Sequence, residues 1–80
     1  MTLVELTEVI IKSLLKDPDS VSVKEFDTEE EIVIEVIVPE EEIGYVIGKE
    51  GKIANAVRTV VQASSYLKDN KKVKVNISSI

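Results

Sequence analysis

Apolar residues recur at helical spacing over the first sixteen positions of the chain. This spacing predicts a helix from Thr2 to about Lys16 with one apolar face. Thr2 and Glu5 have the spacing of a capping box, in which hydroxyl and carboxylate satisfy exposed amides. Pro18 bars continuation of the helix. The predicted face comprises Leu3, Leu6, Ile10 and Leu14.

Three later segments alternate apolar and polar residues, which is the pattern of half-buried strands. The predicted strands are Val21 to Asp27, Ile32 to Val38 and Lys72 to Ser78. Only four residues separate the first two strands, so a hairpin is expected.

Two more helices are predicted between the hairpin and the last strand. A short helix runs from Glu40 to Tyr45, and a longer one from about Gly51 to Leu67. The core stripe expected on the longer helix is Ile53, Ala56, Val57, Val60, Ser64 and Leu67.

The predicted order is therefore helix, strand, strand, helix, helix, strand. The last strand is reached across a helix pair, so it should run parallel to one hairpin strand. We expect an α+β fold in which three helices pack on one face of a three-stranded mixed sheet. Residues 1–80 are expected to form one domain.

Composition narrows the possible functions. The chain has no cysteine and no histidine, which removes thiolate chemistry and the commonest general base and metal ligand. We therefore expect no enzyme activity, metal, cofactor or small-molecule substrate. Neither a signal peptide nor a membrane-spanning stretch is visible, so a cytoplasmic location without membrane contact is expected.

Charge is divided unequally between the two halves of the chain. Residues 1–43 carry 13 acidic residues against three lysines, whereas residues 44–80 carry seven basic residues against two acidic ones. Such asymmetry can indicate a nucleic-acid partner. Solvated surface is the alternative, and we favour it for the runs Glu29–Glu31 and Glu40–Glu42. The lysines at 68, 71, 72 and 74 could either extend a positive track or compensate the helix dipole.

A glycine-bounded turn, Gly48-Lys49-Glu50-Gly51, joins the last two helices. Glycine permits a tight turn and the close approach of a sugar-phosphate backbone. The turn also delivers its amides to the positive end of the following helix, which favours phosphate. Lys49 and Lys52 could neutralise that charge. A plain tight turn is the alternative for so short a motif.

The fuller pattern Ile-Gly-x-Val-Ile-Gly-x-x-Gly-x-Ile over residues 43–53 resembles the KH-domain signature, in which a G-x-x-G loop clamps about four nucleotides of single-stranded RNA. The element order resembles the type II arrangement. The whole chain is similar to bacterial single-KH-domain RNA-binding proteins of the KhpA/YlqC type. The resemblance implies an RNA chaperone or post-transcriptional regulator linked to cell shape and division. It also implies a homodimer, or a heterodimer with a larger multidomain KH protein.

Carried onto this chain, the family's RNA-binding groove gives a set of expected site residues. Gly48, Lys49, Glu50 and Gly51 would form the backbone clamp, although Glu50 departs from more basic loops. Lys52 would contact phosphate, and Arg58 a phosphate or a base edge. The apolar floor would be Val46, Ile47 and Ile53, and the opposite wall Val33, Glu35 and Ile37.

A shoulder of small or apolar residues flanks the predicted core stripe of the longer helix. Ala54, Val61 and Ser65 could contact a second subunit, floor the RNA groove, or widen the core. The family resemblance favours self-association near this helix. The alternative function is accordingly a protein-interaction and dimerisation module on a KH scaffold.

Overall fold

A three-stranded sheet organises the structure, which is a computed structural model describing residues 2–80. The strands lie in the order β1-β2-β3, so β2 is central. β2 pairs antiparallel with β1 and parallel with β3, which confirms the predicted mixed sheet. The strands are β1 (Ser22–Asp27), β2 (Glu31–Val38) and β3 (Lys72–Ser79).

The core lies on one face of this sheet. The alternate β2 residues Ile32, Ile34, Val36 and Val38 are all buried, as their spacing predicts. In β3, Val73 and Val75 continue the same apolar face. The intervening residues of β2 point to the opposite face, where no helix covers them.

Three helices pack against the apolar face. The first begins with the predicted capping box: Thr2 Oγ1 accepts the Glu5 amide at 3.1 Å, and the Thr2 amide donates to Glu5 Oε1 at 2.9 Å. The backbone hydrogen bond from Thr2 holds the pKa of the Glu5 carboxyl below its ordinary value. The helices are α1 (Leu3–Leu14), α2 (Ile43–Ile47) and α3 (Lys52–Lys68).

The core-facing side of α3 differs from the predicted stripe. Val57 is buried as expected, but Val60 is 48% exposed and Leu67 is 89% exposed. The predicted shoulder, Ala54, Val61 and Ser65, lies in the core, which agrees with the alternative that these residues widen the core face. The buried residues are Ala54, Val57, Val61 and Ser65.

The small side chains in this stripe explain the difference. Ala54 and Ser65 let the helix backbone approach its neighbours closely. The Ser65 hydroxyl also satisfies its hydrogen bond inside the protein by donating to the Lys71 carbonyl at 2.8 Å. A buried hydroxyl with a partner costs little. A ranking of residues by hydrophobicity alone therefore selects the wrong side of α3.

Glu42 is buried, although it belongs to a run of acids that we expected to be solvated. Its Oε1 atom accepts the amides of Lys16 and Asp17 at 2.6 and 3.0 Å. These amides follow the end of α1, where the chain turns toward β1. The carboxylate therefore ties the end of α1 to the segment that leads into α2.

We expect Glu42→Ala to lower the free energy of unfolding by about 1–3 kcal/mol, because it leaves two partly buried amides without their acceptor. Glu42→Gln should lower the free energy of unfolding by less, since the oxygen of the Gln side chain can still accept hydrogen bonds from the two backbone amides. Urea unfolding followed by circular dichroism measures both variants.

Glu41→Ala is the matched control for this prediction. Glu41 is the exposed neighbour in the same acidic run, so its removal should change stability by no more than about 0.5 kcal/mol. Equal stability of the Glu41→Ala and Glu42→Ala variants would contradict the structural role of Glu42.

Candidate nucleic-acid interface

The Gly48–Gly51 turn has a backbone conformation that ordinary side chains adopt at a cost. The φ angles of Gly48, Glu50 and Gly51 are 73°, 58° and 74°. Glycine reaches this region without strain, whereas Glu50 does so as an uncommon non-glycine residue. Three positive φ angles within residues 48–51 let the chain turn from the end of α2 at Ile47 to the start of α3 at Lys52.

The hydrogen bonds of the turn use only some of its amides. The Gly48 amide donates to the Gly44 carbonyl at 2.9 Å, and the Gly51 amide to the Gly48 carbonyl at 3.3 Å. The Lys52 amide donates to the Lys49 carbonyl. Within residues 48–52, the Lys49 and Glu50 amides are therefore left for an external acceptor. They lie just before the positive end of the 17-residue helix α3.

Close packing beneath the turn requires a glycine at position 48. A Cβ atom placed there would lie 2.6 Å from Ile53 Cγ1, which is closer than two non-bonded carbon atoms can approach. Ile53 thus presses directly against the start of the turn. At position 51 a Cβ would meet only the Asn55 side chain, at 4.0 Å, so there the positive φ alone favours glycine.

Two of the three predicted floor residues are placed where a ligand can reach them. Ile47 and Ile53 are partly exposed beside the turn. Val46 is completely buried in the core, so it supports the floor from beneath, and its assignment as a contact residue is corrected. Lys49, Glu50 and Lys52 are exposed around the turn.

Arg58 lies on the side of α3 that faces β3. Its Nε donates to the Val75 carbonyl at 3.2 Å, and its Nη1 donates to Asn55 Oδ1 at 3.2 Å. A guanidinium group has five N–H donors, so these bonds hold it in place and leave others for a ligand. Arg58 is therefore anchored to the outer edge of β3.

Gln62, one turn further along α3, makes a second set of contacts to the same strand. Its side-chain oxygen accepts the Val73 amide at 2.9 Å, and its side-chain nitrogen donates to the Lys71 carbonyl at 3.1 Å. An edge strand exposes unpaired backbone groups that invite pairing with another chain. Gln62 and Arg58 satisfy part of this edge, a role that the sequence alone did not reveal.

A groove of about 810 Å³ follows this boundary between α3 and β3. Its wall is β3, not the predicted outer residues of β2. Val33, Glu35 and Ile37 lie on the face of the sheet opposite the helices, because they alternate with the buried residues of β2. The groove is lined by Glu31, Arg58, Thr59, Gln62, Ala63, Tyr66 and residues 72–76.

The lysines that follow the C-terminal end of α3 are partly neutralised by acidic residues of the β1–β2 hairpin. Lys71 Nζ lies 2.8 Å from Asp27 Oδ1 and also donates to the Thr28 carbonyl at 3.0 Å. The hydrogen bond to Asp27 raises the pKa of Lys71 above its ordinary value. Lys72 stands opposite Glu31 in the β2–β3 register. The acidic half of the chain therefore touches the basic half at this end.

An exposed apolar stripe runs along α3 away from the core, and three of its four residues belong to the stripe that we expected to be buried. Ala56, Val60, Ala63 and Leu67 recur at spacings of four, three and four residues and are all exposed. This is the spacing with which helices pair along a common seam. Hereafter these four residues are called the α3 stripe.

Among residues 2–80, none of the helices is both long enough and apolar enough to cross a bilayer. In the same residues, no three acidic side chains converge in a way that could hold a metal ion.

Known proteins of similar sequence span nearly the whole chain. RNA-binding protein KhpA of Clostridium perfringens is 52% identical over 73 residues, which cover 91% of this chain and 96% of the relative. RNA-binding protein KhpA of Clostridium acetobutylicum is 48% identical over the same length and coverage. RNA-binding protein KhpA of Thermotoga maritima is 36% identical over 73 residues, which cover 91% of this chain and 95% of the relative.

Solved structures of similar fold include two of Era. A variant of Aquifex aeolicus Era bound to GDP·AlF4⁻ superimposes with a TM-score of 0.74 and 19% identity over 98% of this chain. Era in complex with MgGDPNP and nucleotides 1506–1542 of 16S ribosomal RNA gives a TM-score of 0.71 and 20% identity over 96% of this chain. The matches cover 30% and 29% of those Era chains, and they establish the shared fold.

A family model, the element order of the fold and the similar sequences all indicate the same family. The sequence model described as "KhpA/KhpB, KH domain" matches residues 4–77, which include β1, β2, all but the last two residues of β3 and the complete Gly48–Gly51 turn. The fold order α-β-β-α-α-β and the identities of the curated relatives agree with it. The chain belongs to the KhpA/KhpB family of KH domains.

Proposed function

We propose that this protein binds single-stranded RNA by clamping its backbone in the Gly48–Gly51 turn. The observation that carries the proposal is the pair of unused amides at Lys49 and Glu50, placed before the positive end of α3. Backbone amides at a helix N-terminus bind phosphate oxygens well. Curated relatives up to 52% identical carry the name RNA-binding protein KhpA, which supports the same ligand.

The residues of α3 that line the groove begin at Arg58, so the proposed RNA path crosses the first two turns of α3 to reach it. Ile47 and Ile53 offer an apolar surface beside the turn, and Arg58 follows at about two helical turns' distance. An RNA strand laid along this path would place a phosphate on the amides and a base or phosphate near the guanidinium. Lys49 and Lys52 would add positive charge where the RNA strand meets the turn and the first residue of α3.

Binding by a single copy should be weak and show little sequence preference. Phosphate contacts position a strand but carry no sequence information. Glu50 also offsets the charge of Lys49 within the turn. We propose that the protein acts in the cytoplasm as an RNA chaperone or post-transcriptional regulator, without catalysis, in processes that include cell shape and division.

The α3 stripe supports a homodimer as the working form. Val60 and Leu67 are large apolar residues at 48% and 89% exposure, and the small residues that alternate with them, Ala56 and Ala63, permit close helix approach. A second copy offers the same stripe, and a two-fold axis makes such a surface self-complementary. Two paired copies would grip one RNA at two turns and raise the affinity through multivalency.

A larger multidomain KH protein is the alternative partner. A second KH domain with a similar apolar helix could occupy the α3 stripe in place of a second copy. In that case the chain would serve mainly as a docking module. Loss of partner binding without loss of RNA binding would identify that role.

Replacing Lys49 and Glu50 together by aspartate should reduce RNA affinity at least about tenfold, because the turn then repels the phosphate it would bind. Aspartate tolerates the positive φ of position 50, so the fold should persist. Fluorescence anisotropy with a labelled single-stranded RNA measures the change.

The matched control is the double variant Lys24→Asp/Glu25→Asp. It makes the same change of composition at two exposed residues of β1, away from the groove. This control should bind RNA nearly as well as the parent protein. If the loop variant retained full affinity while folded, the clamp assignment would be wrong.

Salt dependence provides a second measurement of the same contacts. With two or three phosphates neutralised, log affinity should fall with log salt concentration at a slope of about −1.4 to −2. A slope near zero would show that phosphate contacts do not drive binding. Anisotropy titrations at several potassium chloride concentrations give this value.

Val60→Asp should convert a dimer into a monomer, because it places a charge in the middle of the apolar stripe. Size-exclusion chromatography with light scattering measures the mass. Val9→Asp is the control, since Val9 is a valine of α1 at 57% exposure that lies outside the stripe. A Val60→Asp protein that remains dimeric would exclude the α3 stripe as the interface.

A further inference from the structure

Tyr66 stands at the far end of the groove from the glycine turn. Its side chain is 53% exposed, and it lines the groove together with Thr59, Gln62 and Ala63 of α3. Burial therefore does not explain this aromatic side chain. Nothing in the proposed clamp uses it either.

The topology places the turn and Tyr66 near opposite ends of α3. β3 returns antiparallel to α3 after a short loop, so its start lies beside Tyr66 and its end toward the glycine turn. Arg58 touches β3 at Val75, between these ends. From Gly51 to Tyr66 the helix rises about 22 Å at about 1.5 Å per residue. That length matches about six nucleotides at a stacked spacing of about 3.4 Å, and fewer in an extended strand.

Charge along this path fits a polyanion. The residues that line the groove include the cations Arg58, Lys72 and Lys74, against the single acid Glu31. The chain as a whole carries a net charge of −5, so this positive lining runs against the overall balance. A phosphate backbone that reaches the groove at Arg58 would remain beside cations as far as Tyr66.

We infer that Tyr66 is a stacking platform for a base at the far end of the bound strand, which extends the RNA footprint beyond the nucleotides held at the turn. Stacking on an aromatic ring tolerates any base, because every base has a π face. The site thus increases the number of nucleotides contacted without adding strong sequence preference. This inference rests on the proposed RNA binding, and it concerns a part of the groove distinct from the clamp.

The test compares Tyr66→Ala and Tyr66→Phe on labelled single-stranded RNAs of four and eight nucleotides. Tyr66→Ala should weaken binding of the eight-nucleotide RNA about 5- to 100-fold. Binding of the four-nucleotide RNA should change little. Tyr66→Phe should retain the parent affinity, since the ring stacks without its hydroxyl.

Phe26→Ala is the matched control. Phe26 is an aromatic residue of β1 at 52% exposure, and its position opposite Val33 puts it on the helix-free face of the sheet. Its removal should leave RNA affinity unchanged. Circular dichroism and light scattering on each variant separate a stacking effect from loss of fold or of dimer.

Fluorescence gives a direct reading of the stack. The chain has no tryptophan and only two tyrosines, so Tyr45→Phe leaves Tyr66 as the sole fluorescent side chain. Adding the eight-nucleotide RNA should quench its emission. An abasic nucleotide placed in turn along that RNA should weaken binding at one position near an end, and Tyr66→Ala should remove the sensitivity at that position alone.

The outcomes separate this inference from the clamp. If Tyr66→Ala binds the longer RNA as tightly as the parent while Lys49→Asp/Glu50→Asp has lost binding, the clamp stands and the stacking site is overturned. If the folded parent protein binds neither RNA, the proposed function fails and the stacking site fails with it. Tyr66 emission that is insensitive to bound RNA also overturns the stack.

Discussion

The burial of the central strand β2 is the constraint on which the rest of the structure depends. Its four apolar residues at positions 32, 34, 36 and 38 occupy one face, and all the helices cover that face. Each such side chain contributes about 1.5–3 kcal/mol when it leaves water, so a one-residue slip that turned all four outward would be strongly unfavourable. Because β3 pairs parallel with β2, the chain must cross the sheet through α2 and α3 before returning. The glycine turn lies within that crossover.

The groove follows from the same arrangement. α3 must lie over the sheet to cover β2, and β3 is the edge strand beside it. The outer edge of β3 would expose backbone groups, and Gln62 and Arg58 of α3 bond to two of them. Gln62 also bonds to the Lys71 carbonyl just before the strand. These contacts discourage pairing with another strand while they hold a guanidinium group in the groove. The same side chains thus protect the edge and line the proposed RNA-binding groove.

The distribution of charge takes on meaning only in three dimensions. Acidic residues of the hairpin neutralise Lys71 at the far end of α3, whereas the groove itself keeps a positive lining. A protein that is acidic overall can therefore present a path suited to a polyanion. The rest of its acidic surface would repel RNA from other faces, which would help to restrict binding to the groove.

The sequence by itself determined the order of elements, the inward residues of β2, the capping box at Thr2 and the glycine turn. These depend on local spacing, on backbone conformations that few residues adopt, and on hydrogen bonds between near neighbours. Only the tertiary structure decided which side of α3 is buried, because two apolar stripes compete there and the small residues Ala54 and Ser65 favour the closer packing. It also decided that Val46 is buried beneath the apolar residues beside the turn and that β3 forms the wall of the groove. The buried carboxylate of Glu42, which accepts two amides after α1, is likewise a result of the tertiary structure. Each of these depends on a partner distant in the chain, which no local pattern records.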